Sequence, residues 1–212
     1  MEGQLKNGTI LTSESGNKYT VVNLLGAGGQ GEVYDVECDG KHYALKWYFK
    51  GSATARQKKL LEEIIAKGAP DSSFLWPMEL IVPSRGNLFG YIMPLRPKNY
   101  KSIVDLMKNR VNPSFYVICR TVLNLTKGYR NLHIAGAKYQ DISFGNLFFN
   151  PDNGDVLICD NDNVSYGNSK PGGVLGTPGF MAPEIVRGEA RPSRDTDLSL
   201  IHISEPTRRV VI

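Results

Sequence analysis

The stretch Tyr19-Thr20-Val21-Val22-Asn23-Leu24-Leu25-Gly26-Ala27-Gly28-Gly29-Gln30-Gly31-Glu32-Val33-Tyr34-Asp35-Val36-Glu37-Cys38 decides how the first half of this chain folds. Tyr19–Leu25 and Val33–Cys38 are rich in β-branched and aromatic residues and predict two strands. Between them lies Gly26-x-Gly28-x-x-Gly31-x-Val33. Glycine lets a backbone come close to phosphate oxygens, and the N–H groups of such a loop can converge on an anion. A dinucleotide-binding turn shares the spacing, but that turn opens a helix. Here Glu32-Val33-Tyr34-Asp35-Val36 continues as a strand. Two readings stay open for the stretch alone: a strand–loop–strand clamp over phosphates, or a plain glycine-rich hairpin.

Working outward, Gly16-Asn17 and Asp39-Gly40 are tight-turn dipeptides, so residues 9–49 predict β-structure, with a third strand over His42–Phe49. Residues 53–67 follow the helical period, with Leu60, Leu61, Ile64 and Ile65 on one face, and Gly68-Ala69-Pro70 ends the run. Leu75–Val82 and Leu88–Leu95 predict two further strands. Pro94-Leu95-Arg96-Pro97 is a natural hinge. After it, Ser102–Lys108 and Ser114–His133 predict helices, the second started by Asn112-Pro113-Ser114 and stopped near Gly136. A hairpin follows: Leu147–Asn150, a turn at Asp152-Asn153-Gly154, and Val156–Cys159. A long loop then leads to Glu184. The expected fold class is α+β in two lobes, β-rich then helical.

The 212 residues suffice for one large domain or two lobes; 41% are hydrophobic and 22% charged, as in an ordinary globular protein. The net charge of +4 is mild and spread along the chain, so neither nucleic acid nor a membrane surface is an expected partner. Cys38, Cys119 and Cys159 lack metal-ligand spacing and are expected as reduced, mostly buried thiols of a cytoplasmic protein. The N-terminus lacks a signal-peptide run, and no stretch reaches about 18 consecutive apolar residues.

Four further motifs follow the glycine loop in order. They are Ala44-Leu45-Lys46, Asp141 with Asn146, Asp160, and Gly176-Thr177-Pro178-Gly179-Phe180-Met181-Ala182-Pro183-Glu184. Lys46 sits in an apolar strand, where an ammonium is costly unless paired. The ordered set resembles the catalytic domain of eukaryotic-like serine/threonine protein kinases over about residues 19–198. The Asp160-Asn161-Asp162 variant has a prokaryotic look.

The resemblance implies ATP and Mg2+ as cofactors and a protein substrate bearing a Ser or Thr hydroxyl. It implies that Gly26, Ala27, Gly28, Gly29, Gln30 and Gly31 cover the phosphates, with Val33 and Ala44 against the adenine. It makes Met93 the gatekeeper, Leu95 and Arg96 the backbone partners of the adenine, and Phe148 a further nucleotide contact. Lys46 would grip phosphates and pair with Glu62, favoured over Glu63 by spacing. Asp141 would accept the substrate proton, and Asn146 and Asp160 would hold magnesium. Thr177 would bond near Asp141, and Glu184 would close the activation segment.

The departures are specific. Tyr139-Gln140 replaces His-Arg, Ser143 replaces a lysine, and Asn161-Asp162 replaces Phe-Gly. Asp162 is either an extra ligand for a second ion or an ordinary loop carboxylate. Asp197 fits the aspartate that begins a buried central helix, but Pro206 breaks that pattern. The expected organisation is therefore an N-terminal hairpin extension (1–18), a first lobe (19–95), a partial second lobe (96–198) and an out-of-pattern tail (199–212), in a kinase domain cut short at its C-terminus.

Overall fold

The computed structural model describes residues 3–83, 87–139, 142–167, 183–187 and 193–197. Residues Met1–Ala69 with Leu75–Pro97 form one compact unit, and Pro70–Phe74 with Lys98–Ile212 form another.

In the first unit, β1 (Ile10–Thr12), β2 (Lys18–Ala27), β3 (Gly31–Cys38) and β4 (Lys41–Tyr48) precede helix α1 (Ala55–Lys67), and β5 (Glu79–Ile81) and β6 (Gly90–Pro94) follow it. The six strands make one antiparallel sheet in the order β1-β2-β3-β4-β6-β5. The β3–β4 turn needs positive φ at both central residues, and Asp39 (50°) and Gly40 (73°) supply it. Thr54 caps α1, its Oγ1 accepting from Gln57 N at 3.1 Å, and Gly68 ends it at φ 73°.

The two edges of the sheet are tied to each other. Ser13 bridges to Ile81, and Glu14 N donates to Leu80 O at 3.2 Å. The Glu79 carboxylate accepts from Ser15 Oγ (2.6 Å), Asn17 Nδ2 (2.8 Å) and Tyr19 Oη (3.2 Å). Strand alternation sorts the side chains onto two faces. Tyr19, Val21, Tyr34, Val36, Leu45, Trp47, Ile81 and Ile92 form one core, with Leu5 and Leu11 of the N-terminal segment packed on it. Ala44, Tyr48, Leu61, Leu80, Phe89, Tyr91 and Met93 form the other, with Val33 and Leu95 at its margin.

The expected strand Leu75–Val82 contracts to β5. Pro77 has no N–H for the ladder, and Trp76 turns its Nε1 to the Ile64 carbonyl at 3.0 Å, so this part packs as a core plug. The four-residue face expected of α1 narrows to Leu61 and Ile64 as its buried residues.

The second unit begins with β7 (Lys101–Ser102) and α2 (Ile103–Met107), followed by α3 (Phe115–Ile134) and β8 (Ala137–Lys138). The hairpin β9 (Leu147–Phe149) and β10 (Val156–Ile158) comes next, then β11 (Ser165–Tyr166) and α4 (Pro183–Val186). Ser102 and Asp105 make a capping box at α2, and Ser114 caps α3. Residues 70–74 also belong to this unit, although they precede the expected hinge. Asp71 accepts from Asn131 Nδ2 at 2.7 Å, Ser73 O accepts from Ile158 N at 2.7 Å, and Phe74 bridges to Ile158. Gly128 lies against the same place: a Cβ there would crowd Ile158 Cδ1 at 3.2 Å and touch Ser73 Cβ at 3.7 Å.

The expectation of mostly buried thiols is corrected. Cys38 and Cys159 are half-buried, and Cys119 is exposed on the face of α3 that also carries Tyr116 and Leu123. A helix with an apolar stripe wider than its buried strip leaves such residues in water. No helix of the described residues is long and apolar enough to cross a membrane.

Candidate active site

Strands β2 and β3 run into each other through Gly28-Gly29-Gln30, and Gly28 N donates to Gly31 O at 2.9 Å to close the turn. A Cβ on Gly26, Gly28 or Gly29 would meet nothing within 4 Å, so the loop presents open backbone. Gly31 differs: a Cβ there would overlap the carbonyl of Trp47, because β3 lies directly against β4. Gln30 is anchored twice. Its carbonyl accepts from Phe49 N at 2.9 Å, and its side-chain oxygen accepts from Lys46 Nζ at 3.3 Å.

Lys46 is only 7% exposed and lies across the ladder from Val33 and Tyr91. Its ammonium also stands 5.6 Å from the centre of the Tyr48 ring. The structure does not bring Glu62 to Lys46, which corrects the expected pairing. Glu62 pairs with Lys58 at 3.8 Å, one helical turn away, and its side chain is half exposed. The reason is helical phase. With Leu61 and Ile64 turned into the core, the position after Leu61 rotates by about 100° toward water. Glu63 is intermediate in burial. Gln57, one turn before Leu61, donates from Nε2 to Tyr48 Oη at 3.2 Å.

Val33, Ala44 and Met93 share the sheet face that carries Lys46. Ala44 lies directly across from Met93 in the β4–β6 register. Leu95 packs at the edge of the same cluster, and Arg96 is exposed. The four apolar residues thus gather beside the lysine, as a flat apolar ring of a ligand would require.

In the second unit, β9 and β10 pair with Leu147 opposite Ile158, so Asn146 and Asp160 emerge at the same end of the hairpin. Cys159 N donates to Asn146 O at 2.9 Å and fixes that end. Asp160 has φ 58° and ψ 45°, the left-handed region that non-glycine residues seldom enter. Such backbone strain gathers at functional sites. Asn161, Asp162 and Asn163 follow in a buried 3-10 turn, with Asn161 Nδ2 donating to Ile158 O at 2.9 Å and Asn163 Nδ2 to Asp162 Oδ1 at 3.5 Å. Among the described residues, no three His, Cys, Asp or Glu side chains gather as a metal cluster. Phe148 is half-buried on β9, and Ser143 is 5% exposed.

Tyr139, at the position of the expected histidine, is a structural tie. Its hydroxyl donates to the Cys159 carbonyl, one residue before Asp160, and its ring meets Tyr129 edge-on at 5.5 Å. Its backbone N–H donates to the fully buried Asp197 at 2.8 Å. An aromatic with a polar tip, two residues before the expected catalytic aspartate, was the available signal for this role. Gln140, Asp141 and Thr177 lie outside the described residues. Glu184 falls in α4, and its side chain also lies outside them.

A model of the protein kinase domain matches residues 19–199. A probable serine/threonine-protein kinase of Zea mays is 29% identical over 196 residues, covering 89% of this chain and 30% of the relative. G protein-coupled receptor kinase 1 of Caenorhabditis briggsae is 28% identical over 189 residues, 81% of this chain and 27% of the relative. Rhodopsin kinase GRK1 of Rattus norvegicus is 29% identical over 178 residues, 78% of this chain and 31% of the relative. The chain therefore spans less than a third of these relatives. Kinase domains generally use ATP and magnesium. With the family model covering the glycine loop, Lys46, Asn146 and Asp160 alike, the chain belongs to the protein kinase domain family.

Proposed function

We propose that this chain is the ATP-binding and phosphoryl-transfer part of a serine/threonine protein kinase acting on protein hydroxyls. The observation that carries the reading is Lys46: an ammonium 7% exposed in a strand, bonded to the tip of an open glycine turn and flanked by Val33, Ala44 and Met93. A buried cation next to free backbone N–H groups is a site for phosphate oxygens. The apolar neighbours suit the adenine, with Leu95, Arg96 and Phe148 as further nucleotide contacts.

Asn146 and Asp160 offer hard oxygen donors from one hairpin end, the donor chemistry that magnesium takes, so the residues fit that ion. Magnesium held there would neutralise charge on the phosphates. The remaining work is positioning. Lys46 grips the phosphates, and Asp141 orients the attacking hydroxyl and accepts its proton. Thr177 and the segment closing at Glu184 receive the protein substrate, which is also the reading behind the serine/threonine specificity. Gln140 carries no charge for a loop phosphate to pair with, so activity does not depend on loop phosphorylation through that residue.

The test is transfer of radiolabel from ATP to protein, run beside Asp141→Ala. Label that appears with the wild-type protein and vanishes with the variant supports the reading. A second reading, an ATP-binding scaffold with little transfer, is favoured by the buried Ser143 where the resemblance expects a cation. Nucleotide binding without any label transfer would establish it.

A further inference from the structure

The N-terminal segment before β1 does not trail away from the sheet. Gln4 N donates to Glu32 Oε2 at 2.9 Å, and Leu5 N donates to Tyr34 Oη at 3.0 Å. The Tyr34 hydroxyl in turn donates to Glu32 Oε2, so one carboxylate oxygen and one phenol hold two consecutive N–H groups of the segment. Leu5 packs on the core below, and Gly8 N donates to Val21 O at 2.7 Å. Gly3 lies so close that a Cβ on it would overlap Tyr34 Oη. Glu32 is 8% exposed, and burial with the Glu32 bond pushes the Tyr34 phenol up to about 12.

Glu32 is also the residue after Gly31. In the sheet it lies across from Ala27 on β2 and Trp47 on β4. The exit of the glycine loop is therefore gripped from above by the N-terminal segment, and from the side by the Trp47 carbonyl that excludes any side chain at Gly31. We propose that residues 3–8 form a strap that positions the glycine loop for nucleotide through Glu32 and Tyr34, so that displacing the strap weakens nucleotide binding. Glu32 and Tyr34 are positioning residues. They act on the backbone of Gly28–Gly31, where the N–H groups of Gly29 and Gln30 are the ones left to meet the phosphates, because an ordered loop loses less conformational freedom on binding than a loose one. The proposal rests on the nucleotide-site reading above.

The experiment titrates a fluorescent adenine nucleotide, with magnesium, into the full chain and four variants well below their melting temperatures. Gly3→Val expels the strap from outside the sheet, Tyr34→Phe removes the shared hydroxyl, and Glu32→Gln weakens the carboxylate grip. Ser15→Ala is the reference, because it loosens the β1–β2 hairpin at Glu79 without touching the loop. The strap variants should bind about five- to tenfold more weakly, with Ser15→Ala unchanged. If transfer is measured, KM for ATP rises while kcat stays the same. Wild-type affinity in Gly3→Val and Tyr34→Phe overturns the strap, and so does an equal loss in Ser15→Ala. A wild-type chain that binds no nucleotide removes the nucleotide-site reading itself, a result distinct from the other two.

Discussion

His133 Nε2 on α3 lies 3.0 Å from Asp197 Oδ2, and the same oxygen accepts the backbone N–H of Tyr139 at 2.8 Å. Asp197 is fully buried in a helical turn over residues 194–197. One carboxylate thus joins the end of the long helix to the segment that leads into Asp141. Removing it would leave a buried N–H without its acceptor. Asp197→Ala should cost about 2–3 kcal/mol and lower the melting temperature by roughly 4–12 °C. His133→Ala, which keeps the bond to Tyr139, should cost less. Thermal melts of the two variants check the order.

The bond that closes the sheet at Glu79 predicts a pH dependence. Burial raises the Glu79 carboxyl pKa, but the nearby Ser13 hydroxyl and the hydrogen bonds from Ser15, Asn17 and Tyr19 together outweigh it and hold the group below the ordinary glutamate value. A depressed folded-state pKa means that the stabilisation is present above the unfolded value and is lost as pH falls through the folded one. Melting temperature should therefore drop as pH falls below about 4.5. Glu79→Gln should flatten that part of the profile. Melts between neutral and acid pH give the comparison.

Lys46 and Glu62 should separate cleanly in activity. Lys46→Ala removes the buried cation beside the glycine turn, and label transfer should fall by at least about a hundredfold. Glu62 is half exposed and paired with Lys58 on the helix surface. Glu62→Ala should change stability by no more than about 0.5 kcal/mol and leave transfer within about threefold. Side-by-side transfer assays and melts decide whether Glu62 has the role its spacing suggested.

The loop glycines should divide in the same way. Gly31→Ala forces a methyl into the Trp47 carbonyl and should destabilise the first unit by about 1–3 kcal/mol. Gly29→Ala enters open space and should melt with the wild type. A Gly29→Ala variant as unstable as Gly31→Ala would contradict the packing described.

Asp160→Asn keeps a residue that tolerates the left-handed backbone, so folding should be preserved. The lost negative charge should raise the magnesium concentration needed for half-maximal transfer by about tenfold or more. A magnesium titration of the two proteins reads this directly.

Much of the frame was legible because it is local chemistry. Gly68 ends α1, Ser114 starts α3, and Asp39-Gly40 makes its turn, each through bonds or dihedrals within a few residues. The glycine loop and its two strands follow from glycine spacing and side-chain alternation. What was misread depended on contacts far along the chain. The expected strand from Leu75 shortened because Trp76 met Ile64, and Cys119 proved exposed because the buried strip of α3 is narrow.

By itself the sequence determined which chemical groups this protein carries and in what order: the glycine turn, the strand lysine, the hairpin flanked by Asn146 and Asp160, and a kinase-family plan. Only the tertiary structure decided which of those groups meet. Helical phase set by Leu61 and Ile64 turned Glu62 outward, and sheet register put Ala44 beside Met93. Gln4 of the strap reached Glu32 across 28 positions. Residue types and local periods fix propensities over one or two turns of chain. The partner of a buried charge is chosen by packing over distances that no local pattern records.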